Sequence, residues 1–575
     1  MSQYSTANYF LEGLCELQLD YLFCNLGTDY APIIEEMARW DAAGRKYPQP
    51  ILCPHENVAI HMAGGYAIAS GKGQAVMVHV DVGTGNTVNG LHNLSRGRVP
   101  VLLIAGRAPY TVRGELPGGR DNYVHFIQEP FDMASVVRPY VKWEYNLPSG
   151  LVVKEALRRA HSVIHSDPKG PAYLTLARET LTEHWDASRV CAFSAEKYGP
   201  TSASGVDEET ISNIADRLLN AENPAMMTGY AGRNHACPAV VQELAELLGI
   251  RVFEFSCFHL NLSQTSPCSC GSMSAQALPE VDVGLLVDVD VPWIPRLGSE
   301  NPRSYWIQID VDTIKKDIPM WGFPSHLRVQ ADSHKVLKRL LEVVKQRITP
   351  EVRARAAQRL ERLVKQRRAR DAETASRAVD RGAPGEINPA YLSCEIAKVM
   401  GEEDVLVNEA ITNASAVCSQ IPRTRPGTYI GVALGGSGLG FGGGTALGVK
   451  LAKPGSNVFL VCGDGSFYFS NPAAVLSVSR RYNLPIFITV LDNSGWKAVR
   501  DATLRVFPDG VAKQTNHFQS ALGERPRFEK IAEAFDAHGE CVTDPSEVPR
   551  AIERSMDAVK NGRSALLVAQ VPRVG

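Results

Sequence analysis

Long apolar runs are what this sequence most plainly lacks. None of its 575 residues lies in an apolar stretch of the roughly 18 needed to cross a bilayer. The Met1-Ser-Gln-Tyr-Ser start shows no basic segment followed by an apolar one, so no secretory signal is visible and the cytoplasm is the expected location. Charge excess is missing as well. Lys and Arg number 60 and Asp and Glu 62, a balance of −2 that gives no reason to expect nucleic acid or an acidic membrane as partner. Paired cysteines are also scarce. Of the twelve, only Cys268-Ser-Cys270 with nearby Cys257 forms a cluster, and no second pair at zinc-site spacing accompanies it. Reduced, mostly buried thiols are expected.

What is present is apolar material in short pieces. At 44% hydrophobic, the chain can bury large cores in about three to four domains. From residue 1 to about 185, strand runs such as Tyr21–Asn25, Ile51–Cys53, Gln74–Val80 and Val99–Ala105 alternate with helical patterns. Such alternation predicts a doubly wound parallel sheet with ligands at the strand carboxyl ends. Asp81-Val-Gly-Thr-Gly-Asn86 reads as a loop within it. Residues 205–345 alternate again, after a polar segment carrying Gly199-Pro200. The charged stretch from Pro350 to Gly382 mixes signs and reads as a solvated connecting helix rather than an RNA-binding one.

The segment from Asn457 to Trp496 organises the rest. The strand Asn457–Cys462 leads into the turn Gly463-Asp464-Gly465-Ser466, where two glycines allow close backbone approach to a ligand. A helix follows, then the strand Leu484–Leu491 and Asp492-Asn493-Ser494-Gly495-Trp496. Strand–turn–helix–strand predicts parallel neighbours, with Asp464 and Asn493 at adjacent carboxyl ends. A carboxylate, an amide oxygen and the Gly495 carbonyl would suit Mg²⁺, which completes its octahedron with phosphate and water.

A GDG followed about thirty residues later by a strand-end Asn resembles the diphosphate-anchoring signature of thiamine-diphosphate (ThDP) enzymes. Asp492 stands where the family commonly has a first Asn. Further motifs extend the resemblance over essentially the whole chain, to the acetolactate synthase and benzoylformate decarboxylase group. His55-Glu56-Asn57-Val58-Ala59 is similar to the context of the Glu that contacts N1′ of the cofactor pyrimidine; alone, Glu56 would read as a helix-dipole residue. His79, before Gly83-Thr-Gly-Asn86, and Thr28, in Asn25-Leu-Gly27-Thr28, resemble the proton-transfer His and substrate-contacting hydroxyl of benzoylformate decarboxylase. Phe126-Ile-Gln128-Glu129 resembles a substrate-facing segment of acetolactate synthases, which makes Gln128 a candidate for orienting an acceptor carbonyl. Thr412 falls in a loop that commonly touches phosphate, and Leu439, in the glycine run 435–444, resembles the aliphatic support of the bent cofactor. Gly463, Gly465, Ser466, Asn493 and Gly495 complete the expected cofactor contacts, with Asp464, Asn493 and Gly495 on the metal.

The resemblance implies three α/β domains: pyrimidine-binding (1–190), middle (205–345) and diphosphate-binding (386–575), with a connecting helix at 350–383. It implies a homodimer or homotetramer in which Glu56 of one chain faces Asp464 of another. The expected reaction is cleavage or formation of a C–C bond beside a carbonyl, foremost 2-oxoacid decarboxylation with carboligation. A 2-hydroxyacyl-CoA lyase or C–C hydrolase on the same scaffold is the near alternative. Some relatives hold FAD or ADP in the middle domain; Gly229-Tyr-Ala-Gly232 is too short a glycine pattern to support either. Two other classes compete. Gly438-x-Gly440-x-x-Gly443 with Asp464 fits a dinucleotide fingerprint, pointing to a nicotinamide dehydrogenase. A catalytically silent binding subunit is the other, against which the presence of Glu56, Asp464 and Asn493 argues.

Overall fold

The computed structural model describes residues 3–272 and 274–574. Three parallel sheets carry the chain. The first contains β1 (Tyr21–Asn25), β2 (Gln49–Leu52), β3 (Gln74–Val78), β4 (Val101–Arg107), β5 (Glu144–Asn146) and β6 (Ala172–Ala177), in spatial order β2-β1-β3-β4-β6-β5. The second contains β7 (Ala225–Thr228), β8 (Arg251–Phe253), β9 (Val283–Val287), β10 (Tyr305–Asp310) and β11 (Leu327–Gln330), in order β8-β7-β9-β10-β11. The third contains β12 (Val405–Glu409), β13 (Tyr429–Gly431), β14 (Val458–Gly463), β15 (Phe487–Asp492), β16 (His538–Val542) and β17 (Ala565–Gln570), in order β13-β12-β14-β15-β17-β16. First and third sheets therefore share one topology. Their central strands are buried on both faces, which is why they read as unbroken apolar runs rather than alternating ones.

Two short antiparallel ribbons stand apart from these sheets. One pairs Gln3–Ser5 with His184–Asp186, and the other pairs Gly382–Ala383 with Glu386–Ile387. A 28-residue helix, Pro350–Arg377, begins behind the Thr349 cap and leads from the second sheet to the third. Arg359 of that helix is buried and donates to the carbonyls of Leu248 and Ala221, seating the helix on the second domain. All twelve cysteines are free thiols, five of them buried.

Three helices position the site. α1 (Glu56–Ser70) starts where His55 Nδ1 accepts the Asn57 N–H and stops at Gly71, whose φ of 76° breaks the helix. α2 (Val80–Arg96) follows β3 directly, so the segment 81–86 expected as a loop is helical. α3 (Gly442–Ala452) follows the glycine run of the third domain. α1 and α3 pack along their length, and one apolar core runs through both into the first and third sheets, including Val58, Met62, Phe441, Leu447 and Leu460.

Glycines let the two backbones meet. A Cβ on Gly448 would lie 2.0 Å from the Met62 carbonyl oxygen, and one on Gly65 2.2 Å from that of Thr445. Those obstacles are main-chain atoms, which cannot swing aside. Gly448→Ala is expected to destabilise by about 1–3 kcal/mol, the usual cost of overpacking, and to weaken cofactor binding as the helices part. Urea unfolding midpoints measure the first effect and calorimetry the second.

Candidate active site

β14 and β15 are hydrogen-bonded neighbours, with Gly463 opposite Leu491. Asp464 and Asn493 therefore emerge side by side, as the strand–turn–helix–strand pattern predicts. The GDG segment differs from the expected turn: Asp464 opens a short helix, Asp464–Phe469. The Gly495 N–H donates at 3.0 Å to both Asp464 Oδ2 and Asn493 Oδ1, which ties the two strand ends together. Burial and the nearby Asp492 push the Asp464 carboxyl up to about 6, while the N–H groups of Gly465 and Gly495 pull it back. Two carboxylates sharing a buried corner call for a cation.

These residues line a cavity of about 310 Å³ together with Thr412, Leu439, Gly463, Gly465, Ser466 and Trp496. Every residue expected at the diphosphate and metal end thus borders one space. Among the described residues, no group of three or more His, Cys, Asp or Glu forms a metal cage. An ion at Asp464 would have to draw its remaining oxygens from Asn493, the backbone, water and a bound anion, which is the ligand habit of Mg²⁺. The donor set and the cavity fit a diphosphate carried with such an ion.

Glu56 does not line that cavity but stands beside it. Its neighbour Asn57 donates to the Gly440 carbonyl at 3.1 Å and the Phe469 carbonyl at 3.4 Å. One face of α2 makes the remaining links. Asn86 donates to Glu56 Oε2 at 3.0 Å, Asn89 to the Leu439 carbonyl at 2.9 Å and Asn93 to the Gly438 carbonyl at 2.9 Å. Asn93 also accepts the Gly438 N–H, so both edges of that glycine are held. From the other side, Glu409 takes the N–H groups of Gly440, Phe441 and Gly442. Burial pushes the Glu409 carboxyl up to about 8 against the pull of those donors.

The Asn trio was hidden in the sequence. Its spacing of three and four residues is helical, but a loop at 81–86 leaves Asn86 outside the helix. Asp29 was missed too: its carboxylate meets His79 Nδ1 at 2.6 Å. His79 and Gln128 come together, the amide reaching the ring, while Thr28 sits exposed one residue before Asp29. The three groups expected at the substrate end, Thr28, His79 and Gln128, thus gather with Asp29 at the carboxyl ends of β1 and β3 or facing them.

Within the single chain, the Glu56 helix meets the diphosphate loop. One expectation changes. The dinucleotide fingerprint fails on topology. Its strand, β13, is not adjacent to β14, because β12 lies between them, and the glycine run faces Asn89 and Asn93. A nicotinamide site needs those two strands side by side.

In the middle domain, charged side chains of the protein pair with one another at the ends of β7, β9 and β10. Lys315 Nζ donates to Asp310 at 2.6 Å, Asp290 at 2.8 Å and the Tyr230 hydroxyl at 2.5 Å. Arg98, from the first domain, pairs with Asp290 through both terminal nitrogens and lies over the Tyr230 ring. Burial would raise the Asp290 carboxyl, but Arg98 and Lys315 outweigh it and hold it well below the usual range.

Comparison with known proteins agrees with this geometry. Residues 4–136 match the model for the thiamine pyrophosphate enzyme N-terminal TPP binding domain, and residues 410–569 that for the C-terminal TPP binding domain. The chain belongs to the thiamine pyrophosphate enzyme family. Within that family it is 23% identical to the Escherichia coli acetolactate synthase isozyme 3 large subunit, over 89% of this chain and 86% of that protein. Benzoylformate decarboxylase of Pseudomonas aeruginosa is 24% identical over 84% of each chain. The fold of this thiamine pyrophosphate enzyme matches Rhodococcus jostii thiamine diphosphate-dependent 4-hydroxybenzoylformate decarboxylase, with a TM-score of 0.78, 19% identity and 99% of both chains covered. Benzoylformate decarboxylase from Polynucleobacter necessarius gives the same score at 17% identity, covering 100% of this chain and 99% of that one.

Proposed function

We propose that this chain uses thiamine diphosphate and Mg²⁺ to cleave or form a C–C bond beside a carbonyl, acting on a 2-oxoacid by decarboxylation with carboligation to a second carbonyl. The observation that carries this reading is the shared α2 face. It fixes Glu56 and the Leu439 loop together, next to the cavity that Asp464 and Asn493 close at its far end. Relatives named for acetolactate synthesis and benzoylformate decarboxylation support the substrate class.

In this reading Asp464, Asn493 and the Gly495 carbonyl hold the ion, and Thr412, Gly463, Gly465 and Ser466 receive the diphosphate. When bound, the cofactor supplies a carbon nucleophile and an electron sink next to the scissile bond. Glu56 would hold a proton toward the cofactor's pyrimidine, Leu439 would support the bound cofactor, and His79 would move protons to and from the substrate. Gln128 and the Thr28 hydroxyl orient the carbonyl oxygen. The buried wall around Glu56 keeps bulk water from competing for that proton.

Mg²⁺ with thiamine diphosphate should raise the melting temperature by several degrees at about 100 times Kd, which corresponds to about 2.7 kcal/mol of linkage. NAD, FAD and ADP should leave it unchanged, because Lys315 and Arg98 already pair with the carboxylates at the ends of β9 and β10. A shift with FAD or ADP would overturn that part. Assembly into a homodimer or homotetramer, in the cytoplasm, belongs to the same proposal; no described helix is long and apolar enough to cross a membrane. Coexpressing Glu56→Gln with Asp464→Ala tests how the copies share sites. Recovered turnover would put the two residues of one site on different copies, and none would keep them on one chain, as they stand here.

A further inference from the structure

Asp29, unlike its partner His79, belongs to none of the motifs that carried the resemblance. We infer that Asp29 is a positioning residue: it fixes the His79 ring through Nδ1 and leaves Nε2 as the single nitrogen able to exchange a proton with the site. This rests on the proposed role of His79 as the proton carrier.

The geometry is specific. Asp29 sits in the one-turn helix Thr28–Tyr30 after β1, and His79 caps α2 after β3, so two neighbouring strand ends present the partners to each other. The Asp29 side chain is 3% exposed and that of His79 23%, so the carboxylate is sealed while the ring keeps an open edge. A carboxylate only accepts hydrogen bonds, so at 2.6 Å the proton between them is carried by Nδ1. That fixes the tautomer of the neutral ring. Among the described residues, Asp29 Oδ2 is buried with no hydrogen-bond partner, so none of them competes with His79 for this carboxylate.

The surrounding residues make room for the pair. A Cβ on Gly27 would fall 1.9 Å from His79 Nδ1, and one on Gly106 would fall 1.5 Å from Asp29 Oδ2. Tyr30, next to Asp29, anchors the turn through its hydroxyl to the carbonyls of Val78 and Ile104 at 2.9 and 3.2 Å. The turn therefore cannot swing away without breaking contacts to β3 and β4.

The charged surroundings act in one direction. The hydrogen bond to Asp29 is the largest influence on His79 and raises its pKa; burial opposes it, and Gln128 and Asp81 add to the rise. His125 faces Asp29 from the 121–128 segment and is itself held below the ordinary imidazole value by burial, Arg178 and Arg120, so it stays neutral and leaves the Asp29 charge to His79. A raised imidazole keeps its proton to higher pH. Deprotonation of His79, and with it the acidic limb of turnover, should follow that raised midpoint.

The test is Asp29→Asn, which keeps the shape but removes the charge. In NMR titrations of the protein without cofactor, the His79 resonance, assigned by comparison with His79→Gln, should titrate above ordinary imidazole in the wild type and fall in D29N. In the holoenzyme, kcat should drop about 10-fold with KM changed less than about twofold, as expected for partial loss of a general acid–base contribution. The acidic limb of the pH profile should move down together with the NMR midpoint. An unchanged His79 midpoint in D29N would overturn the inference. So would a wild-type midpoint at or below that of ordinary imidazole, a measurement that needs no variant to fold. If the midpoint falls but His79→Gln leaves turnover intact, the positioning stands and the proton-carrier reading fails.

Discussion

Glu56→Gln should bind thiamine diphosphate and Mg²⁺ with nearly unchanged affinity yet turn over a 2-oxoacid about 10²–10⁴ times more slowly, the range that a general acid–base group contributes. The substitution is close to isosteric. Glu56 is 8% exposed at the first position of α1, and its Oε2 accepts from Asn86 at 3.0 Å. A glutamine oxygen can accept that same bond, so α1 and α2 keep their contact and the Leu439 loop keeps its place. What the amide cannot do is take up and return a proton at neutral pH. Steady-state kinetics beside calorimetric titration of the cofactor measures both halves. Wild-type turnover in the variant would refute the role of Glu56, and lost cofactor binding would show that it acts as an anchor instead.

Asp464→Ala should have the complementary effect, removing Mg²⁺-dependent binding of the cofactor altogether. Loss of residues that merely support a metal ligand typically weakens metal affinity about 10–100-fold, and removal of a charged ligand should exceed that. No neighbour substitutes for it. Asp492 uses Oδ1 to accept the Ser494 N–H at 2.9 Å, and its Oδ2 faces Arg525 at 3.8 Å, so it is committed to the turn that carries Asn493. The metal-free variant should melt no lower than the wild type, because the change removes a buried carboxylate from beside another one. Calorimetry with and without Mg²⁺, paired with a melting curve, separates this outcome from simple unfolding. Retained Mg²⁺-dependent binding would displace the metal site from Asp464.

Much of this was readable from local pattern. The apolar runs around 458–462 and 487–491 specify neighbouring parallel strands, and that alone brings Asp464 next to Asn493. The residues read as bordering phosphate, from Thr412 to Gly495, do border one cavity. The failures share a cause. Gly83 and Gly85 argue for a loop by propensity, yet the segment is helical, and Gly83 packs it tightly against Val78 and Glu56, 3.0 and 3.2 Å from where a Cβ would stand. With the helix expected to start only after Asn86, that residue fell outside it and the common face of Asn86, Asn89 and Asn93 could not be seen. Asp29 and His79 are separated by 50 residues, and nothing local announces their bond.

The grip on residues 438–440 has a consequence for how this scaffold can diversify. Asn93, Asn89 and Asn57 seize three successive carbonyls, which every amino acid presents alike, and leave the Leu439 side chain outside the grip. Position 439 therefore behaves like a socket. Different side chains could be fitted there to reshape the chamber for another substrate, while the track that carries them stays in register.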